Sequence, residues 1–233
     1  MNKEKELQYY LSISPKKFGI YLFDTKNLEN LYKKEIILNT HSEFSYNDSL
    51  KKFLDSNIFK IEKLSGKFLE NIIVILEDKK IFNLELGIKK KNYNVSISKE
   101  YLENSLIEAK DLFRENYQNQ EIIHMIIKKY FMNGNTYSLF DESLQCDHLG
   151  LEIQFKSISN EITYDLNRIL ENYQIKITKY LDGTYVKSNF DDDKELAEMS
   201  YRVLSGYNQN EVMFVPKTTK KLAFFEKFFQ LFS

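Results

Sequence analysis

Cys146, Asp147 and His148 stand next to one another in the chain and carry the side chains of a nucleophile, a carboxylate and a base. As a catalytic set they are weak. Adjacent residues on an extended chain point to opposite faces, and the partners of an activated thiol normally come from distant segments. His124 lies inside the apolar run Ile122–Ile127, where a hydrogen-bonded core histidine is expected rather than a base. The three histidines, His41, His124 and His148, fit no metal-ligand spacing with each other or with Cys146. Asp191, Asp192 and Asp193 offer oxygen ligands, but the loop glycine and closing glutamate of a calcium-binding loop are missing, so a solvated loop is expected. No glycine-rich phosphate loop of either common spacing occurs. The expectation is no catalytic residue, no cofactor and no metal.

The strongest chemistry is interfacial. On a helix turning about 100° per residue, Leu222, Phe224, Phe225, Phe228, Phe229, Leu231 and Phe232 fill one half of the circumference. Ala223, Glu226, Lys227, Gln230 and Ser233 fill the other half. Such a segment is too short to span a bilayer, which takes about 20 apolar residues. It suits a helix lying in the interface plane with its rings among the acyl chains. Lys217, Lys220, Lys221 and Lys227 then face anionic headgroups, at about 1 kcal/mol each when close to the surface. The alternative is a terminal helix that docks on its own domain or in a partner's groove.

The remainder of the chain must position that segment. Basic and acidic residues number 33 and 34, for a net charge of −1, so no global basic field argues for nucleic acid. A hydrophobic fraction of 42% supplies a real core. The single cysteine leaves no internal disulfide and fits a reducing compartment. The opening MNKEKELQ has no signal-peptide core, so a cytoplasmic location with peripheral membrane contact is expected.

Strands are expected at 9–14 and 18–23, joined by Pro15-Lys16-Lys17, and a third at 32–38. A helix is expected over 48–64, with Gly66 just past its end. The continuous apolar run 72–76 suits a buried strand, and 81–89 alternates as its hairpin partner. Ser98 should cap a helix with Leu102, Leu106, Ala109, Leu112 and Phe113 on its apolar face. A strand over 122–132 ends at the turn Asn133-Gly134-Asn135, and 149–158 is another. Beyond these come a helix at 162–173, a strand at 175–181, a polar loop at 183–193, a helix at 194–204 and a last strand at 211–215. Together they make an α+β protein in which a helix packs on one face of a small, largely antiparallel sheet.

Several of these stretches resemble FtsA, the actin-like family of bacterial cell-division proteins. SISKEYLENSLIEAKDL at 96–112, EIIHMIIKKYFMNG at 121–134 and CDHLGLEIQFKSIS at 146–159 are similar to the strand–helix–strand–strand module inserted in the family's first lobe. His124 takes the place of the family's histidine, and Gly134 that of its turn glycine. IFKIEKLSGKFLENIIVIL at 58–76 resembles the preceding helix and first module strand. The C-terminal helix resembles the family's membrane-targeting helix.

The resemblance implies a partial actin-like first lobe. Residues 1–70 would be its opening strands and helix, 71–159 the module, 160–215 the remainder, and 216–233 a linker and membrane helix. It also implies a divisome adaptor on the inner face of the cytoplasmic membrane, with FtsZ and further copies of itself as partners. Two departures bear on this. Leu11-Ser12-Ile13-Ser14-Pro15-Lys16-Lys17 has neither the Asp nor the Gly of the family's first phosphate loop. The second lobe, which carries the family's FtsZ contact and its further ATP motifs, has no counterpart here. A non-ATPase is therefore expected.

Overall fold

A computed structural model describes residues 6–38, 46–141, 145–190 and 194–213. Among the described residues the chain divides into two compact units: 6–81 with 158–205, and 82–157 with 206–213.

The first unit is built on a five-stranded sheet. β1 (Leu7–Ser14), β2 (Lys17–Asp24) and β3 (Glu29–Ile37) form an antiparallel meander. β4 (Asn71–Leu76) and β9 (Lys176–Asp182) extend it in parallel, giving the order β3-β2-β1-β4-β9. The parallel strands are joined by connections that carry helices on one face of the sheet, and a helix that follows β9 covers the other. α1 (Tyr46–Ser65) lies over one face of β2, where Phe18 meets Tyr46 and Phe53. Five residues further along the strand, an odd step, Phe23 points the other way and meets Tyr10 and Tyr201 of α5 (Leu196–Leu204). α3 (Asn160–Glu171) joins the α1 side, where the hydroxyl of Tyr173 donates to Asp55 Oδ1 at 2.8 Å. This double cover explains why β2 is buried from Phe18 to Asp24 with no polar alternation.

The second unit holds a four-stranded sheet, ordered β5-β8-β6-β7. β5 (Phe82–Ser96) pairs antiparallel with β8 (Gln145–Ser159), and β6 (Gln120–Met132) with β7 (Asn135–Tyr137). Asn133 (φ 51°) and Gly134 (φ 80°) form the tight β6–β7 turn that the sequence predicts. α2 (Lys99–Asn116) is capped by Ser98, whose Oγ accepts from Tyr101 N at 3.1 Å. Its Leu102, Leu106, Ala109 and Phe113 pack on Leu149, Leu151, Ile153 and Phe155 of β8.

Four sequence expectations need correction. The strand at 72–76 and the strand that follows do not form a hairpin: β4 pairs with β1 and β9, and β5 pairs with β8. A strand apolar on both faces belongs in a sheet centre with neighbours on both sides, and a two-stranded ribbon cannot supply that. β4 therefore falls in the first compact unit, and the inserted unit begins at Phe82. The polar loop expected from Gly183 instead contains a short helix, α4 (Gly183–Ser188), capped by Asp182 through Thr184 N at 2.9 Å. Of the last strand, expected over 211–215, the described residues show a single bridge between Glu211 and Ile126, and residues 214 and 215 lie outside them. β5 is longer than expected because a bulge at Tyr93 and Asn94, both with positive φ, lets it resume pairing at Val95. The α+β class itself stands.

Candidate functional site

The membrane-facing residues expected from the sequence, Leu222, Phe224, Phe225, Phe228, Phe229, Leu231, Phe232, Lys217, Lys220, Lys221 and Lys227, lie outside the described residues, as do Asp191–Asp193 and His41. The structure does describe the segment leading to them. Residues 208–213 run along the edge of β6 beside the place where β7 pairs. Ile127 N donates to Asn210 O at 2.9 Å, and Val212 N donates to Met125 O at 2.8 Å. Asn210 Nδ2 donates to Ser138 O at 2.8 Å, which joins the segment to the β7 end of the same edge.

One side-chain pair locks this register. Glu211 Oε1 lies 2.6 Å from Nδ1 of His124, and both side chains are buried. A buried carboxylate is costly unless a donor meets it, and the imidazole N–H is that donor. His124 is thus the satisfied core histidine that the sequence predicts. Its partner was not foreseen. The available signal was an acidic residue opening the apolar stretch Glu211–Val215.

The C-terminal ends of β1, β4 and β9 line up in the first unit, with Ile13 beside Leu76 and Leu76 beside Asp182. Such strand ends are where open α/β sheets hold ligands. Here the backbone donors are already used. Pro15 has no N–H, while Lys17 N and Lys16 N both donate to Ser14 Oγ, at 3.0 and 3.4 Å. Glu77 N donates to Ile13 O at 2.9 Å. Glu77 itself binds Lys187 Nζ through both oxygens, at 2.8 and 2.7 Å. Gly183 is required by close packing, since a Cβ there would come within 2.5 Å of Glu77 Cγ. Two carboxylates, Glu77 and Asp182, and a turn whose amides are internally satisfied make a poor seat for a triphosphate.

Cys146 is buried in the core beneath α2. Its polar neighbour is Asn92, whose Nδ2 lies 3.7 Å from Sγ, and burial pushes the thiol pKa up. His148 Nδ1 is 2.8 Å from Asp147 Oδ2. A protonated, enclosed thiol is not a nucleophile. Among the described residues no group of three His, Cys, Asp or Glu side chains is placed to hold a metal ion, and no helix is long and apolar enough to cross a membrane.

No known family profile matches the sequence, and no curated protein matches it. Solved structures do match. The cytoplasmic domain of EpsL, an inner-membrane component of the type II secretion system of Vibrio cholerae, aligns over 78% of this chain and 59% of that one, at 7% identity and TM-score 0.41. A Bacteroides thetaiotaomicron protein with an actin-like ATPase fold aligns over 78% and 54%, at 12% identity and TM-score 0.34. The PilM–PilN type IV pilus biogenesis complex aligns over 77% and 48%, at 6% identity and TM-score 0.50. The chain spans roughly half the length of the solved chains it matches, from 48% to 59%. The fold is that of a partial actin-like first lobe with an inserted α/β unit.

Proposed function

We propose that this protein is an FtsA-like adaptor without ATPase activity, attached to the inner face of the cytoplasmic membrane through residues 217–232 and presenting its folded units to a cell-division partner. The observation that carries this reading is the sequence pattern from Leu222 to Phe232, in which five phenylalanines and two leucines recur at a spacing that would put them on one side of a helix, with Lys217, Lys220, Lys221 and Lys227 around them. The segment just before it, held on the β6 edge by His124 and Glu211, gives such an anchor a fixed point of attachment. The occupied amides at the β1–β2 turn support a role without nucleotide.

FtsZ and other divisome proteins are the partners the family resemblance supplies, and self-association is a further one. A single interfacial helix binds reversibly, so firm attachment calls for several copies acting together. The PilM–PilN complex names a pilus-assembly partner for a protein of this fold, which makes that assembly the second context to test.

The test is co-sedimentation of the full chain with phosphatidylserine-containing vesicles, against the variant Phe225→Glu with Phe229→Glu. Release of the double variant supports the anchor. Undiminished pelleting refutes it and leaves the alternative, an interaction domain whose C-terminal helix docks on itself or on a partner.

A further inference from the structure

β5 lies at the edge of the four-stranded sheet. Among the described residues its one strand neighbour is β8, so from Phe82 to Lys91 every second residue turns its backbone N–H and C=O away from the sheet. This stretch holds no proline, and its register with β8 is unbroken as far as Lys91. Leu84, Leu86 and Ile88 pack toward the core under α2, and Glu85, Gly87 and Lys89 are exposed on the opposite face.

The side chains restrict what can pair with this edge. Lys89, Lys90 and Lys91 follow one another, and lysines on an edge strand discourage an arbitrary partner. Lys90 Nζ is met by Glu108 at 2.8 Å, and Lys91 Nζ lies 4.9 Å from the centroid of the Tyr93 ring. Glu85 and Lys89 make no ion pair with a described residue. They share a face but stand about 13 Å apart along the strand, too far to reach each other. Gly87 lies midway between them. Its φ is not positive, and a Cβ there would meet nothing within 4 Å, so the fold itself does not require a glycine. A glycine inside a strand weakens it and often marks the close approach of another backbone.

The strand that fits carries an acid opposite Lys89 and a cation opposite Glu85, and β5 of a second copy supplies both. About a two-fold axis through Gly87, Glu85 of each copy faces Lys89 of the other, and on the α2 side Leu86 of each faces Ile88 of the other. An axis one residue later sets Leu86 against Lys90, an ammonium in the apolar row. An axis one residue earlier sets both Glu85 carboxylates against Gly87. We infer that the β5 edge is a self-association site, where two copies pair antiparallel about Gly87 and join their four-stranded sheets through two Glu85–Lys89 pairs. Such a contact uses the same patch on both copies and closes at a dimer. The inference deepens the adaptor reading, which calls for several copies on one membrane, but the contact itself needs no lipid. A single strand pair is a small interface, so the dimer is weak and depends on concentration.

The experiment is sedimentation velocity of the full chain without lipid, over a series from micromolar to millimolar. The natural chain should pass from monomer to dimer. Glu85→Lys should raise the dimer dissociation constant about tenfold, because two attractive pairs become two repulsive ones. Lys89→Glu should do the same. Neither should shift the melting temperature, since both residues are exposed. An equal mixture of the two variants should dimerise again, because every reversed charge then faces its opposite, and so should one chain carrying both changes. The variant Phe225→Glu with Phe229→Glu should dimerise as the natural chain does. A monomer at every concentration overturns the inference, as does a dimer indifferent to the charge reversals or a mixture that does not recover. If the tail variant is monomeric and the β5 variants are not, association runs through the C-terminal segment and the β5 contact is refuted. Vesicle binding of each variant is read separately, so release of the tail variant from the natural chain's vesicles bears on the anchor alone.

Discussion

The two sheets use their side chains differently. In the five-stranded sheet, β1 and β2 are buried on both faces, by α1 on one side and α5 on the other. In the four-stranded sheet, β5 alternates between half-buried residues toward α2 and exposed residues on the far face, from Phe82 to Lys90. The first arrangement is a scaffold with its faces filled. In the second, β5 leaves one face exposed among the described residues, while β6 is buried without alternation from Ile123 to Ile127. The difference follows from the strands themselves: continuous apolar runs need two covers, and alternating runs need one.

The largest expected effect tests this contrast directly. Phe23 is fully buried between Tyr10 and Tyr201. Phe23→Ala should cost about 3–5 kcal/mol by urea denaturation, from lost burial and the cavity left behind. Leu86→Ala, on the open sheet's half-buried edge strand, should cost well under half of that. Equal costs would mean that the second sheet is as tightly enclosed as the first.

Next comes the β6 edge. Glu211→Ala leaves His124 buried without its acceptor, which should cost about 1–3 kcal/mol. Amides 208–213 should then exchange faster than those of α2, because the segment is otherwise held by few backbone bonds. If exchange there is unchanged, the pair is not what holds the segment, and the anchor's fixed point lies elsewhere.

Legibility in the sequence divides along the same line. Signals that act within a few residues were readable: the Ser98 cap, the Asn133-Gly134 turn, and the apolar stripe of the helix that Gly66 ends. The buried character of His124 could be read too, because its neighbours in the chain are apolar on both sides. Nonlocal choices could not. The run at 72–76 says that β4 is buried, but its partners, Tyr10–Ile13 on one side and Lys176–Asp182 on the other, are set by the whole sheet. Glu211 is 87 residues from His124, and no spacing rule connects them. The short helix after Asp182 was hidden because six residues cannot show a periodic face. Of the candidate site, composition showed the lysine–phenylalanine segment, whereas the contact of Glu211 with His124 needed coordinates.

The helix caps sharpen the comparison at a smaller scale. Ser98 caps α2 in the open unit with a bond of 3.1 Å to Tyr101 N, and Ser159 caps α3 in the filled unit with one of 3.4 Å to Ile162 N. Ser98→Ala should cost about 1 kcal/mol. Ser159→Ala should cost less, since its bond is longer and the hydroxyl of Tyr180 on β9 also donates to Thr163 O of α3. Thermal melts of the two variants decide it. A larger loss at Ser159 would show that the filled sheet depends on its caps more than on its core.

The smallest effect concerns acid. Glu35 sits on β3, the edge of the filled sheet, and accepts from the hydroxyl of Tyr21 at 2.5 Å and from Lys17 Nζ at 3.1 Å. Burial pushes its carboxyl pKa up, but the bonds from Tyr21 and Lys17, with the charges of Lys17 and Lys33, outweigh burial and hold it below the usual value. A carboxylate lowered in the folded state adds stability above its unfolded pKa, and that stability is lost as pH falls through the folded one. The phenol of Tyr21, pushed up by burial and by Glu35, stays neutral throughout and keeps donating. Glu35→Gln should therefore lower stability in the neutral region and flatten the acid limb, so that the two curves converge at low pH. Urea midpoints measured from about pH 3 to pH 7 would show this. An unaltered acid limb would mean that Glu35 is solvated like an ordinary surface carboxylate, and that the filled sheet's cover stops short of its β3 edge.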